Sequence, residues 1–548
     1  MGRLTSRRMF LIGSITTVAA ACSSSDPAAP AATTVAAPPP TTTVPDTPVT
    51  SIAPTPTEAV VAVTEALDDV PPLPPGYDGT TDPFTLGVAS GDPDATSVIH
   101  WTRLAPIDST LDGEITLALE VAADEAFDTL ISTQAVVTDA SQGYSVHGLT
   151  TGLDPDTWYW YRFRTAEFIS PVGRSRTAPE PGSAVDQLTF ATASCQHFES
   201  GFYAAHADIA TAGVDLVVWL GDYIYEGDAR PVGEGVVRSH EGPEPTTLDG
   251  YRARYATYKS DPNLQAAHAA CPWLVIWDDH EVENNYAGNT AQDGTELNGR
   301  RAAAYRAWWE NTPTRIEAPT TADAVIYRGL EWGSLLDMSL LDTRQYRTDQ
   351  ACNDVTLSTD PPCPETFDTD RTMLGTEQRE WLFDRLGKSD ATWNVLGQQV
   401  ILGNFTLNGA VLNFDQWDGY PVERDALLQA VVDQEVSNFI VLTGDIHFAG
   451  VGNLRAPGGI DTALIGAEFV ASSISSSGNV DPGLIDLVKS IGDVVDADLV
   501  HRGWIKHTVT PTTWSAEYRI VADALVPDSA VSVFNTYIVE AGTPGIRP

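Results

Sequence analysis

Three short stretches of this sequence crowd together residue types that bind metal ions. Gly221-Asp222-Tyr223-Ile224-Tyr225 offers a carboxylate and, three residues on, a phenol. Trp277-Asp278-Asp279-His280-Glu281 offers adjacent carboxylates and an imidazole. Thr443-Gly444-Asp445-Ile446-His447 offers a carboxylate and an imidazole two residues apart. Cys195 adds a thiol, which a metal would deprotonate and shield at an exposed rim. Hard oxygen donors with imidazole, phenolate and thiolate suit a trivalent iron beside one or more hard divalent ions. A lone Asp or His is more often a structural hydrogen-bonding residue, but three Asp-bearing clusters in equivalent places point to metals.

The places are equivalent because each cluster closes an apolar run. Leu188–Cys195, Asp215–Asp222, Trp273–Asp279, Leu335–Asp342, Trp393–Gln399 and Phe439–Asp445 all read as buried strands that end in polar residues. Helical stretches lie between them: Thr376–Leu386, with Thr376 as its cap, and Asp425–Glu435. Strands alternating with helices predict an α/β domain over residues 187–548, with a site at one rim of a sheet. Residues 82–180 read as short strands with turn signals. There Leu153-Asp-Pro155-Asp-Thr157-Trp-Tyr159-Trp-Tyr161 is similar to the tyrosine corner of fibronectin III or Ig-like sandwiches, so a β-sandwich domain is expected.

In their order along the chain, these motifs resemble those of the PhoD-like alkaline phosphatases of the metallophosphoesterase superfamily. The landmarks are Gly87-Val-Ala-Ser-Gly-Asp92, Ala193-Ser-Cys-Gln196, Gly221-Asp-Tyr-Ile-Tyr-Glu226, Trp277-Asp-Asp-His-Glu-Val-Glu-Asn284, Leu341-Asp-Thr-Arg-Gln345, Leu396-Gly-Gln-Gln399 and Thr443-Gly-Asp-Ile-His447. The resemblance implies an α/β metallophosphoesterase, a two-sheet sandwich flanked by helices. It also implies ferric iron (Fe3+) and calcium (Ca2+), with Cys195, Asp222, Tyr225 and His447 on iron. Asp222 would bridge to calcium, completed by Asp279, Asp445 and one of Gln398 and Gln399. The cations would bind a phosphate ester and acidify a water for in-line attack at phosphorus. His280 would protonate the leaving oxygen or hold a phosphate oxygen; the alternative is a structural role behind the ligands. Arg344 would stabilise charge on the equatorial oxygens, or else form a surface salt bridge. Glu281 and Asn284 would support the ligands, and His197 would line the pocket. His206, His240 and His268 are assigned nothing. The serine run Ser472–Ser477 would wrap the site or form a loop.

The rest of the chain bounds where this chemistry takes place. Lys+Arg number 31 and Asp+Glu 74, a net charge of −43 that disfavours nucleic-acid duplexes. Residues 1–22 carry Arg7-Arg8 ahead of a short apolar run, the pattern of a twin-arginine export signal read by its translocase. Cys22, after three alanines, is a lipidation candidate that would tether the protein to a membrane; simple cleavage near Ala21 is the alternative. Residues 23–80 form a Pro/Thr/Ala-rich linker expected to be disordered. An extracellular, cell-surface or periplasmic monomer is expected. In that setting Cys352 and Cys363 are a disulfide candidate, while Cys271, in an apolar strand, reads as a buried thiol. A His-Glu-x-x-His zinc protease is excluded by Asn284, and a phosphate-binding P-loop at Gly387-Lys388-Ser389 by Leu382. Two other readings stay open: a phosphodiesterase acting on lipids or wall polymers, and a non-catalytic surface binding protein.

Overall fold

The computed structural model describes residues 81–105, 113–354 and 360–546. The export signal, Cys22 and the linker lie outside them. Among the described residues no helix is long and apolar enough to cross a membrane.

The first part of the chain forms β1 (Val88–Gly91), β2 (Ser97–Arg103), β3 (Ile115–Ala122), β4 (Leu130–Thr138), β5 (Ser145–Thr151), β6 (Trp158–Arg164) and β7 (Gly173–Arg176). Buried and half-buried residues alternate strictly along β6, the period of a strand with one face on a core. Strands β4-β3-β6-β7 make one antiparallel sheet. Its inner residues Leu117, Leu119, Tyr161 and Phe163 share a core with Val88, Val98 and Val146 from β1, β2 and β5. Tyr159 Oη accepts from Asp154 N at 2.8 Å, the bond expected of a tyrosine corner.

One feature differs from a self-contained sandwich. Strands β1, β2 and β5 continue a nine-stranded sheet of the second part, because β1 pairs in parallel with β10 (Trp273–Val275) at Gly91↔Trp273. Glycine permits this approach: a Cβ at Gly91 would stand 2.1 Å from Pro313 O and 2.5 Å from Trp273 O. The next residue, Asp92, accepts from Arg328 at 2.7 and 2.9 Å and from Arg315 N at 2.7 Å. The Gly87–Asp92 motif therefore welds the two parts together.

In the second part, β8 (Leu188–Ala193), β9 (Leu216–Trp219) and β10 run parallel beside β20 (Arg502–Val509), β21 (Thr513–Val521) and β22 (Val531–Glu540). The other large sheet has the order β11 (Arg328–Trp332), β12 (Leu336–Leu340), β13 (Trp393–Gly397), β16 (Phe439–Thr443), β18 (Leu464–Val470), β17 (Ala449–Arg455), β19 (Val494–Asp498). A small hairpin, β14 (Thr406–Leu407) with β15 (Ala410–Val411), stands apart. One apolar cluster draws on both large sheets, with Phe190, Val218 and Trp514 from the first and Val395, Leu442 and Phe469 from the second. The inward turn of these runs brings their polar C-terminal ends together.

Helices α1 (Ala204–Thr211), α2 (Leu248–Lys259), α3 (Pro262–Ala270), α4 (Asn298–Asn311), α5 (Gly375–Lys388), α6 (Pro421–Asp433) and the short α7 (Ile485–Val488) complete the fold. Leu382 and Leu386 of α5 and Leu427 and Val431 of α6 cover Leu396, Phe439 and Val441 of the second sheet. Two helix starts differ from the sequence reading. Thr376 is not a cap: α5 starts at Gly375, and Glu423 of α6 accepts from Met373 N and from Leu374 N. Helix α6 begins at Pro421, whose missing N–H suits a first turn. Cys352 and Cys363 are joined as a disulfide, and Cys271 is a buried free thiol.

Candidate metal centre

Each candidate ligand sits just past a strand end, where the backbone leaves the sheet. Cys195, Asp222, Asp445 and His447 all adopt the left-handed conformation, with φ of 60, 57, 63 and 59°. That turn carries their side chains off the sheet into one cluster. Gly221 is required before Asp222: a Cβ there would stand 2.4 Å from Asp278 Cβ, and its φ is +109°.

Tyr225 Oη lies at the middle of the first group, 2.7 Å from Asp222 Oδ2 and 2.8 Å from His447 Nε2. His447 Nδ1 donates to Ser477 O at 2.8 Å, and its Nε2 faces the Tyr225 hydroxyl. The serine run wraps this side. Ser476 Oγ lies 2.8 Å from both Tyr225 Oη and Cys195 O, and Ser475 and Ser476 donate their N–H groups to Cys195 O. Cys195 is buried, at 1% exposure, and not on an exposed rim. Burial, with Asp222 beside them, holds both the Cys195 thiol and the Tyr225 phenol well above their ordinary ranges.

Three sets of donors each lie within 4.8 Å of one another: Cys195, Asp222 and His447; Asp222, Asp279 and His280; Asp278, Asp279 and Asp445. Asp222 and Asp279 are each shared by two sets, so these two carboxylates link the three groups of donors. Among the described residues Asp222 Oδ1 and Asp278 Oδ2 are buried with no hydrogen-bond partner, and buried Asp279 Oδ1 has no hydrogen bond, only the Arg344 guanidinium 3.6 Å away. Such atoms are costly unless a cation uses them. Burial, with the neighbouring carboxylates, pushes Asp445 up to about 7.

Set against known proteins, residues 190–518 match the PhoD-like phosphatase family, and residues 73–179 match the N-terminal domain of PhoD-like phosphatases. Alkaline phosphatase D of Bacillus subtilis (strain 168) is 42% identical over 483 residues, 85% of this chain and 82% of that protein. The solved structure of PhoD superposes with a TM-score of 0.82 at 41% identity, covering 85% of this chain and 92% of that one. The chain belongs to the PhoD-like phosphatase family. It is a metal-dependent phosphoesterase, and the orphaned carboxylate oxygens fit that dependence.

Around the donors of this PhoD-like phosphatase the structure sorts the remaining predicted residues. Glu281 is fully buried and accepts from three backbone N–H groups: Asp222 at 3.1, Tyr223 at 2.5 and Asp278 at 2.8 Å. It ties two of the ligand-bearing turns together. His280 Nδ1 lies 2.6 Å from Glu226 Oε2, and its ring packs 4.1 Å from that of Tyr225. Burial opposes a charge on His280, but Glu226, Asp279 and Asp222 outweigh it and hold the imidazole well above the usual histidine range. His197 meets Tyr225 edge to face at 4.5 Å.

Four expectations are revised. Arg344 is no surface salt bridge: it is fully buried, bonded to Asp278, to Asp415 at 2.7 Å and to Asp445 at 3.2 Å. Gln399 has no free donor atom for calcium, because its oxygen accepts from Thr343 and its amide donates to Trp277 O and Leu341 O. The Gln398 oxygen is likewise engaged: it accepts from Trp417 Nε1 at 2.8 Å. Asn284 is exposed and contributes its N–H to Glu226; it is Asn285 N that bonds Asp279, at 2.6 Å.

Three functional residues were not singled out from sequence. Glu226 closes the Gly221–Glu226 motif, and a carboxylate one residue after the Tyr225 phenol was a readable signal. Asp415 and Gln416, which bond Arg344 and Asp445, lie in irregular chain after the two-residue strand β15, too short to show in the sequence. A small cavity of about 40 Å³ beside Ile401, Phe405 and Phe448 is lined by none of the candidate ligands.

Proposed function

We propose that this phosphatase is exported by the twin-arginine route and hydrolyses phosphate mono- and diesters at a centre of one ferric ion and calcium ions. The carrying observation is the run of three donor sets joined through Asp222 and Asp279. The set with Cys195 and His447, completed by Tyr225, offers sulfur, imidazole and phenol and suits iron. The two sets built mainly on carboxylates suit calcium. Bound cations supply Lewis acidity: they offset the charge on the ester and acidify water.

The chain's own residues orient the reaction. Glu226 fixes the His280 ring through Nδ1 beside Asp222 and Asp279, and His280 would give a proton to the departing oxygen. Arg344 offsets the excess of carboxylates and holds Asp278 and Asp445 apart in fixed directions. Ser476 and Ser477 keep Tyr225 and His447 in place.

The test is hydrolysis of p-nitrophenyl phosphate and bis-p-nitrophenyl phosphate by protein loaded with iron and calcium. Turnover of either supports the reading, and their ratio reports monoester against diester preference. No turnover of either by metal-loaded protein refutes it.

A further inference from the structure

Among the described residues five arginines bond to residues of the site, and four of them are spent inside the protein. Arg344 and Arg347 serve Asp415, Arg254 donates to Tyr225 O, and Arg502 donates to His447 O; all four are buried. The fifth, Arg230, differs. Its side chain is 46% exposed. It follows the Gly221–Glu226 motif on the connection that leads from the site to α2, and its Nη2 stands 3.5 Å from His197 Nδ1. His197 in turn lies against the Tyr225 ring at 4.5 Å.

The guanidinium is fixed along one edge only. Glu199, fully buried, accepts from Arg230 N at 2.9 Å and from Nε at 2.7 Å, and Nη2 donates to Ser200 Oγ at 3.1 Å. Nη1 has no acceptor among the described residues. A guanidinium held at Nε and Nη2 keeps Nη1 and its two N–H groups open, a cationic donor fixed in place for an anion. Glu199 does not need that outer edge, because Ser239 Oγ lies 3.3 Å from it and the His240 ring lies 3.3 Å away. In a chain with 74 acidic and 31 basic side chains, an unfilled cationic edge beside the site stands against the prevailing charge.

We propose that Arg230, with His197 beside it, forms a subsite for a second anionic group of the substrate, a phosphate carried on the alcohol part of the ester. The preferred substrates are then esters with a neighbouring phosphate, and Arg230 is a specificity residue, not a catalytic one. The inference rests on the phosphoesterase reading.

A matched pair of substrates tests it: propyl phosphate and propane-1,3-diyl bisphosphate, with phosphate release measured on metal-loaded full-length protein. The native enzyme should favour the bisphosphate in kcat/KM by about ten- to a hundredfold, the worth of one charge-assisted pair. Arg230→Gln should bring the ratio down to about two, the statistical value for two cleavable ends. If that variant does not fold, Arg230→Lys keeps a cation beside Glu199 without the fork and should also lose most of the preference. A purely structural arginine would lower both rates alike and leave the ratio where it was. That result, or a native ratio near two, overturns the subsite. If neither substrate is hydrolysed, p-nitrophenyl phosphate and bis-p-nitrophenyl phosphate decide: turnover of either overturns the subsite, and turnover of neither overturns the phosphoesterase reading on which it rests.

Discussion

Replacing Glu281 by Gln probes whether the ligand-bearing turns are held by this one carboxylate. Its Oε2 takes the N–H groups of Asp222 and Asp278, and its Oε1 takes that of Tyr223. An amide oxygen can replace Oε2. The amide nitrogen then faces Tyr223 N, donor against donor, in a position with no solvent. One buried N–H loses its acceptor and a new NH2 lacks one, at about 1–3 kcal/mol each. An opposing effect exists: burial, with Asp222 close by, pushes the Glu281 carboxyl up to about 8. A raised carboxyl contributes stability below its unfolded value of 4.5 that is lost as pH rises through 8. At pH 8 the amide is spared that cost, so in metal-free protein the two effects offset and the melting temperature should move by only a few degrees. The turns, however, should no longer set Asp222 and Asp278 at ligand distance. Elemental analysis should find metal lost on dialysis, and kcat/KM should fall by about 10–100-fold, the usual effect of a support behind a metal ligand. Native metal content and a rate within twofold would refute the reasoning.

Chelation with EGTA should abolish activity, and added calcium should restore it; full activity in chelated buffer would remove calcium from the centre. Tyr225→Phe and Cys195→Ser each take one donor from the first set, so the visible charge-transfer band of the purified protein should shift or vanish and the rate should fall, while unchanged colour and iron content would show that these residues only pack. Replacing Arg7 and Arg8 by Lys should block export, and unchanged secretion would point to another route.

Much of this site could be read from the sequence because its ligands close buried strands. Runs such as Asp215–Asp222 and Phe439–Asp445 are long, apolar and sharply ended, so the element and its polar terminus were both visible. What failed was side-chain direction. Gln398 and Gln399 follow a strand in the same way, yet Gln399 turns into the scaffold, where Trp277 O and Leu341 O need a donor. No local pattern distinguishes a carbonyl aimed at a cation from one aimed at a backbone N–H. Asp415 lay beyond reach for another reason: it meets Arg344 across 71 residues, from a loop that carries no periodicity. The sandwich expected over residues 82–180 also missed that three of its strands extend the neighbouring sheet, since Gly91 signals close approach without naming the partner.

The left-handed residues join these points. A non-glycine residue with positive φ costs roughly 1 kcal/mol, and Cys195, Asp222, Asp445 and His447 all adopt it. Glycine would relieve each position but would remove a donor. The backbone bears the cost because the surroundings fix it: Glu281 takes Asp222 N, Cys195 N donates to Gly221 O, and Arg502 takes His447 O. Each of these partners lies on a different element, so no turn can relax alone. Donors fixed in this way at the ends of packed strands would meet an incoming cation with little rearrangement of the backbone. The same rigidity makes the partners of the ligands as sensitive to substitution as the ligands themselves.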